Sequence, residues 1–327
     1  MFSYSIMQWL FIFYFYCFFG WCFESTYVSL KSRKWVNRGF MKGPFLPLYG
    51  SGAVMMLVVS KPFLAHWWAV YIAGFIGATL LEYVTGVVME ALFKVRYWDY
   101  SEQPFNFQGQ ICLGSSLAWG GLTLLMNYVI HKPVERVVLA IPTNVLSVVT
   151  ILLTCYIAGD FVLSFKAALD LRDILVRMEK VKEELARVQK RLDVIAAVTG
   201  EDWAQRKEAI TESVGQKKDA IKDALSEGIG RTKDVLVDKL RIEELKDSIE
   251  KSLTALKDGV RRRTDEYSDD TREEIMDLKT EYELNAASHE RLRSHRDLNR
   301  RIRNNPTMSS RKYKDVLDEL KDKAEEK

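Results

Sequence analysis

Between Tyr4 and Leu163 the chain runs through five apolar stretches, and that grouping decides what it can fold into. The first, Tyr4 to Phe23, is twenty residues without a charge, long enough for a helix to cross a hydrocarbon core about 30 Å thick. No basic n-region opens it and no small-x-small site follows it, so it reads as a span rather than a signal peptide. The others are Leu46–Val59, His66–Phe93, Ile111–Ile130 and Val137–Leu163. Of 38 aromatic residues, 33 precede Phe165, as do all four cysteines and six of the seven prolines. The 163 residues from Phe165 onward carry 37 basic and 37 acidic side chains. One half is suited to lipid and the other to water, which excludes a single soluble globule.

The expected fold is therefore all-α. A polytopic membrane helix bundle of about five spans occupies residues 1–164, a coiled coil continues the last span over 165–200, and a charged amphipathic helical tail follows over 201–327. The second stretch is the short one. It has about fourteen residues and is reached through Pro44, Pro47, Gly50 and Gly52, so a re-entrant segment competes with a full crossing. Charge decides between them. If the stretch crosses, twelve basic residues share the side of the tail, against Lys61, Lys132 and Arg136 on the other; if it only dips in, the count is eight against seven. The excess of basic residues on cytoplasmic loops favours five spans, the N-terminus outside and the tail in the cytoplasm of a cell-membrane protein.

In the tail, Leu171, Ile174, Met178, Val181, Leu185, Val188, Leu192 and Ile195 repeat at alternating spacings of three and four. That is a heptad seam and predicts a coiled coil. A less regular stripe follows at Val214, Ile221, Leu225, Ile229, Leu236, Leu240, Leu245, Ile249, Leu253 and Leu256, able to fold back as a hairpin or to pair between subunits. The charges cancel locally, so nucleic acid is not an expected partner. One basic run, His289–Arg303, has the composition of an anionic-lipid contact, with a solvated helix face as the plainer reading. The four cysteines (Cys17, Cys22, Cys112, Cys155) lie in or beside apolar spans without metal spacing, and no metal or cofactor is expected. His66 and His131 read as interfacial residues.

Acidic side chains inside spans are costly and mark sites by default. Glu24, Glu82, Glu90 and Asp160 are the four. Gly74, Ala78, Glu82, Gly86 and Glu90 recur every fourth residue, so they form one slowly drifting stripe with small residues that admit a neighbouring helix. Glu82 and Glu90 then lie about 12 Å apart along the axis. The segment from Asn37, Arg38 and Gly39 through Gly43, Pro44 and Pro47 to Tyr49 and Gly50 mixes residues that free the backbone with residues that fix it. Such backbone at membrane depth lines a cavity or is buried in protein, and beside Arg38 and Lys42 it suits an anionic group. Trp98, Asp99, Tyr100 and Ser101, with Asn106 and Gly109, form a second polar loop on the same side. Together these residues predict a polar ligand site facing the cytoplasm.

The same residues carry a resemblance. Gly20-Trp21-x-x-Glu24-Ser25, Asn37-Arg38-Gly39-Phe40-x-x-Gly43-Pro44-x-x-Pro47-x-Tyr49-Gly50, Trp98-Asp99-Tyr100-Ser101 and Asn106-x-x-Gly109-x-Ile111-Cys112-Leu113 resemble the bacterial family called putative ABC-transporter type IV, or CmpB-like permease. The likeness covers about Met7 to Trp119, and Asn305-Pro306-Thr307-Met308 through Tyr313 resembles the short tail of such proteins. The long helical insert between Phe165 and about Glu281 has no counterpart in that resemblance. It implies a multi-pass membrane protein whose substrate the family name does not supply. No G-x-x-x-x-G-K-[ST] loop is present, so a permease of this kind needs a separate ATPase subunit.

Three functions follow. The leading one is a permease-like protein with a cytoplasm-facing ligand site, whose tail self-associates or binds a helical partner. A membrane-embedded enzyme using Glu82 or Glu90 and a membrane-anchored coiled-coil scaffold are its rivals.

Overall fold

The computed structural model describes residues 4–198, 241–262, 269–293 and 296–325. They divide into two compact units. The first comprises Met1–Asp173, Arg296–Lys314 and Lys321–Lys327; the second comprises Ile174–His295 and Asp315–Leu320.

The first unit opens with α1, Ile6–Ser32. Ser5 and Gln8 form its capping box: Ser5 Oγ accepts from the Gln8 N–H at 3.3 Å and Gln8 Oε1 from the Ser5 N–H at 2.9 Å. Arg33, left-handed at φ 52°, ends it. The chain then turns back on itself. The Leu46 N–H donates to the Cys17 carbonyl at 2.9 Å, close to the middle of α1. Pro47, whose fixed φ suits a first helical residue, opens α2, Pro47–Ser60. At fourteen residues α2 measures about 21 Å. It packs Ala53, Met56 and Leu57 against Ile12 and Tyr16 of α1.

Helix α3 spans Trp67–Phe93, and a small hairpin of β1 (Asn106–Phe107) and β2 (Ile111–Cys112) leads to α4, Leu113–Leu125. A π-helical stretch, Met126–Ile130, joins α4 to α5, His131–Ala140. Helix α6 runs from Thr143 to Val198. Four runs are long and apolar enough to cross a membrane: α1, α3, α4 through α5, and the first part of α6. The segment 33–60 has a different form. It is irregular backbone beside one half of α1 and the short α2 beside the other, which is what the Pro/Gly pattern there demands.

The small-residue stripe of α3 is buried at Gly74, Ala78, Glu82 and Gly86. It faces α4 and the hairpin, with Gly74 against Thr123 and Gly86 against Gln110. His131 differs from the interfacial expectation. It is fully buried, with Tyr4 Oη 2.9 Å from Nε2 and Tyr16 Oη 2.9 Å from Nδ1. A charged neighbour completes the cluster, because Tyr4 also donates to Glu135 at 2.8 Å.

The second unit is a helical bundle. It takes the later part of α6, α7 (Ile242–Arg262), α8 (Asp269–Arg293) and residues from α10 (Lys314–Glu325). The heptad residues Ile174, Met178, Val181, Leu185, Val188, Leu192 and Ile195 are all buried within the single chain. So are Leu245, Ile249 and Leu256 of the second stripe; its residues Val214, Ile221, Leu225, Ile229, Leu236 and Leu240 lie outside the described residues. Gln189 donates to Ser252 at 3.3 Å, Arg191 pairs with Glu274 at 3.1 Å, and Lys182 with Asp315 at 2.8 Å. The seam of α6 is thus met by helices of its own chain.

The close approach of α1 and α2 gives a direct test. A Cβ on Gly50 would lie 2.7 Å from the Phe13 carbonyl, a backbone atom that cannot swing away, whereas one on Gly52 meets nothing within 4 Å. Gly50→Ala should destabilise the protein by about 1–3 kcal/mol in a thermal melt in detergent, and Gly52→Ala should leave it unchanged or slightly stabilised.

Candidate functional site

Arg38 lies at the centre of the site. Its backbone N–H donates to Ser25 Oγ of α1 at 3.2 Å, and Gly39, at φ 129°, turns the chain just after it. Arg38 is 7% exposed. Nε lies 3.5 Å from Glu24 Oε1, Nη1 donates to Asn305 at 3.3 Å, and Nη2 donates to the Tyr97 carbonyl at 2.8 Å and to Thr307 Oγ1 at 2.7 Å. Glu24 in turn accepts from the Tyr49 hydroxyl at 2.5 Å. One buried cation therefore joins α1, α2, the loop after α3 and the segment after α9 (Arg296–Asn304).

The neighbouring loop residues position the backbone. Asn37 accepts from Trp21 Nε1 at 2.6 Å and donates to the Lys42 carbonyl at 2.7 Å, closing the turn. The Gly43 N–H donates to Asp160 Oδ2 of α6 at 2.8 Å, and Pro44 follows it toward α2. Phe40 is the aromatic hub, with ring centroids 5.5 Å from Phe93, 6.0 Å from Tyr97 and 5.7 Å from Phe161.

A cavity of about 320 Å³ opens beside this hub. Glu24, Arg38, Tyr49, Trp98 and Asn305 contribute to one part of its wall. The rest is mostly apolar: Phe40, Leu46, Val88, Met89, Leu92, Phe161 and Phe165 among others. Such a size falls at the low end of small-ligand sites, about 300–1,000 Å³.

Glu82 and Glu90 do not line that cavity, and each is satisfied by its own partners. Glu82 accepts from Trp119 Nε1 at 2.9 Å and the Tyr100 hydroxyl at 3.1 Å, with Ser115 Oγ at 3.3 Å. Glu90 accepts from Gln110 Nε2 at 2.5 Å and pairs with Arg96 at 2.8 Å. Arg96, 2% exposed, also pairs with Asp99 at 3.4 Å, and its backbone forms a β-bridge with Ser309. Asp99 accepts from Ser101 and from the Ser309 hydroxyl at 2.7 Å. Burial raises the Asp99 pKa, but these hydrogen bonds outweigh it and hold the carboxyl below its ordinary value. Burial pushes the Tyr97 phenol up, with Arg301 and Arg38 opposing, and burial together with Glu82 pushes Tyr100 up. Both hydroxyls are therefore neutral donors or acceptors at pH 7. Trp98 donates to the Gln110 carbonyl at 2.9 Å, and Asn106 pins the hairpin through the Ser101 and Gln103 carbonyls and the Gly109 N–H.

The thirteen sequence-predicted residues thus fall into three groups. Glu24, Arg38, Gly39, Tyr49 and Trp98 reach the cavity, whereas Glu82, Glu90, Asp99, Tyr100 and Asn106 build the loop beside it, and Asn37, Gly43 and Pro44 shape the first loop. The sequence reading missed Arg96, counted only as a topological charge, and the returning segment. In that segment Arg301 donates to the Tyr97 hydroxyl at 2.8 Å and to the carbonyls of Phe40 and Ser164 at 3.0 and 2.7 Å. Arg301 is not on a solvated face; it is 9% exposed. The family-like tail motif from Asn305 onward was the available signal, since its Asn305, Thr307, Ser309 and Ser310 bond to Gly39, Tyr97, Asp99 and Lys94.

Among the described residues one trio has metal-ligand spacing: Glu243, His289 and Glu319 in the second unit, their ligand atoms within 4.8 Å of one another. Arg293 already stands among them, 2.8 Å from Glu243 and 3.9 Å from Glu319, and supplies the positive charge.

Fold and site together define a polytopic helical membrane protein with a cavity beside a half-helical segment. Residues 11–165 match the model of the family described as "Putative ABC-transporter type IV". No curated protein and no solved structure matches the chain.

The Arg96–Glu90 pair makes a testable claim. Arg96→Met leaves a partly buried carboxylate without its cation and should cost roughly 2–4 kcal/mol. Glu90→Gln added to it removes the stranded charge, so the double variant should melt at a higher temperature than Arg96→Met alone. Equal or additive losses would show that the two side chains are not coupled.

Proposed function

We propose that the chain is the membrane-embedded, permease-like component of a transport system, with its ligand cavity open toward the cytoplasm. The cavity at the half-helical pass carries this reading. Transporter sites are built where a helix is interrupted and its backbone turns irregular beside a ligand. Here the residues that interrupt the helix also form the cavity wall. The family match supports the transport class, and the lack of a phosphate-binding loop in the sequence assigns ATP hydrolysis to a separate subunit. The excess of basic residues on the side of residues 33–46 and 94–112 supports a cytoplasmic assignment for that side and the tail. The second unit then serves as a docking module for a helical partner or another copy of the chain. The enzyme alternative loses ground, because Glu24 is the one acidic residue of the spans that lines the cavity.

Orientation is checked with single cysteines in a background lacking the four native ones. Lys34→Cys should react with a membrane-impermeant maleimide only in inside-out vesicles, and Arg136→Cys only in right-side-out ones; the reverse pattern would overturn the assignment. Function is checked by purifying the full chain from crosslinked membranes. A P-loop ATPase should co-purify, and vesicles containing both should accumulate a solute unchanged in an ATP-dependent way. Met89→Trp, which fills the cavity, should cut accumulation about tenfold or more. Chemical conversion of the solute would instead establish the enzyme reading.

A further inference from the structure

The first unit holds three buried arginines, and one has no carboxylate partner among the described residues. Arg38 has Glu24, and Arg96 has Glu90 and Asp99. Arg301 has only neutral partners among the described residues: one hydroxyl, two carbonyls and the face of Phe40, 5.1 Å from its ring centroid. A buried cation without a counter-charge is costly. Arg301 lines a small notch of about 30 Å³ together with Lys42 and Arg300, whose side chains are exposed. Gly39, Phe40 and Asn305 belong both to this notch and to the large cavity. A basic pocket and an apolar one therefore adjoin across a single aromatic ring.

The cavity has a second property. Val88 and Leu92 of α3 and Phe161 of α6 line it and are also exposed. On membrane-spanning helices, exposed apolar side chains face lipid, so the cavity opens sideways between α3 and α6 into the bilayer. A hydrated solute gains little from such a route. A molecule with an alkyl chain does.

We propose that the notch and the cavity together bind an anionic amphiphile drawn from the bilayer, its charged head on Arg301, Arg300 and Lys42 and its alkyl chain in the cavity. This names the ligand class of the site described above and rests on that cavity being the ligand site, though not on transport. The head chemistry is an anion of phosphate or carboxylate type; the chain distinguishes it from the free anion.

The test uses the full chain in detergent or nanodiscs, with binding read by native mass spectrometry and by thermal shift. The probes are an anionic lysophospholipid, a zwitterionic one of equal chain length, and inorganic phosphate. The anionic lipid should bind at least about tenfold more tightly than the zwitterionic one, as expected for charge-assisted hydrogen bonds. Lys42→Gln with Arg300→Gln, both on exposed side chains, should erase that preference while leaving the melting temperature of the unliganded protein intact. Val88→Trp should weaken both lipids alike. Equal binding of the two lipids would overturn the head-group assignment, and phosphate binding as tightly as the anionic lipid would overturn the chain. Lipid binding that passes these tests in a protein that moves no solute would sink the permease reading alone.

Discussion

The guanidinium of Arg38 is the interaction on which the membrane half depends. Taking a charge out of water costs several kcal/mol unless geometry and hydrogen bonds return it, so each partner it gains is held in place. Its partners come from segments far apart in the chain: Glu24, Tyr97, Asn305 and Thr307. The loop after α1 buries Val36, Met41, Phe45 and Leu46, but packing alone does not fix the direction of its polar backbone. The buried cation supplies the fixed point, and Leu46 on the Cys17 carbonyl and Gly43 on Asp160 complete the descent. The cavity exists because this pass is irregular where a full helix would have filled the space.

The fold class was legible because lipid imposes a strict composition, and the apolar stretches of the sequence match the long helices. The half-helical form of the second apolar stretch was legible as a question rather than an answer. Its length of about fourteen residues and its prolines pointed to irregularity, but only the Leu46–Cys17 hydrogen bond shows where the irregular part lies. The four-residue stripe on α3 was readable from spacing, and the burial of Gly74, Ala78, Glu82 and Gly86 follows from it. Which donors would meet Glu82 and Glu90 was not readable. Tyr100, Trp119, Arg96 and Gln110 come from a loop and a helix whose relative placement no local pattern encodes. The heptad seam told which face of α6 is buried, not what covers it, since the same stripe suits a partner chain and the chain's own helices equally.

The returning segment was the largest omission, and the reason is physical. Arg296 to Tyr313 has the charged composition of the solvated tail, so composition assigns it to water. Its function depends on a few donors and acceptors at matched positions, and hydrogen-bonding groups leave no periodic trace. Ser309 pairs with Arg96 as a β-bridge and Ser310 donates to the Lys94 carbonyl. Neither contact needs a hydrophobic residue.

That segment also changes what the tail means for the site. The chain leaves the membrane half through α6 and comes back at Arg296, so residues 174–295, the larger part of the second unit, are inserted between two stretches that both border the cavity: Phe161 and Phe165 on the way out, Asn305 on the way back. An insertion anchored at both ends differs from a trailing appendage. Arg301 sits on the returning anchor with its charge uncompensated by any described carboxylate, so an anion bound at the notch would tighten that anchor. By linkage, whatever tightens the anchor also strengthens anion binding.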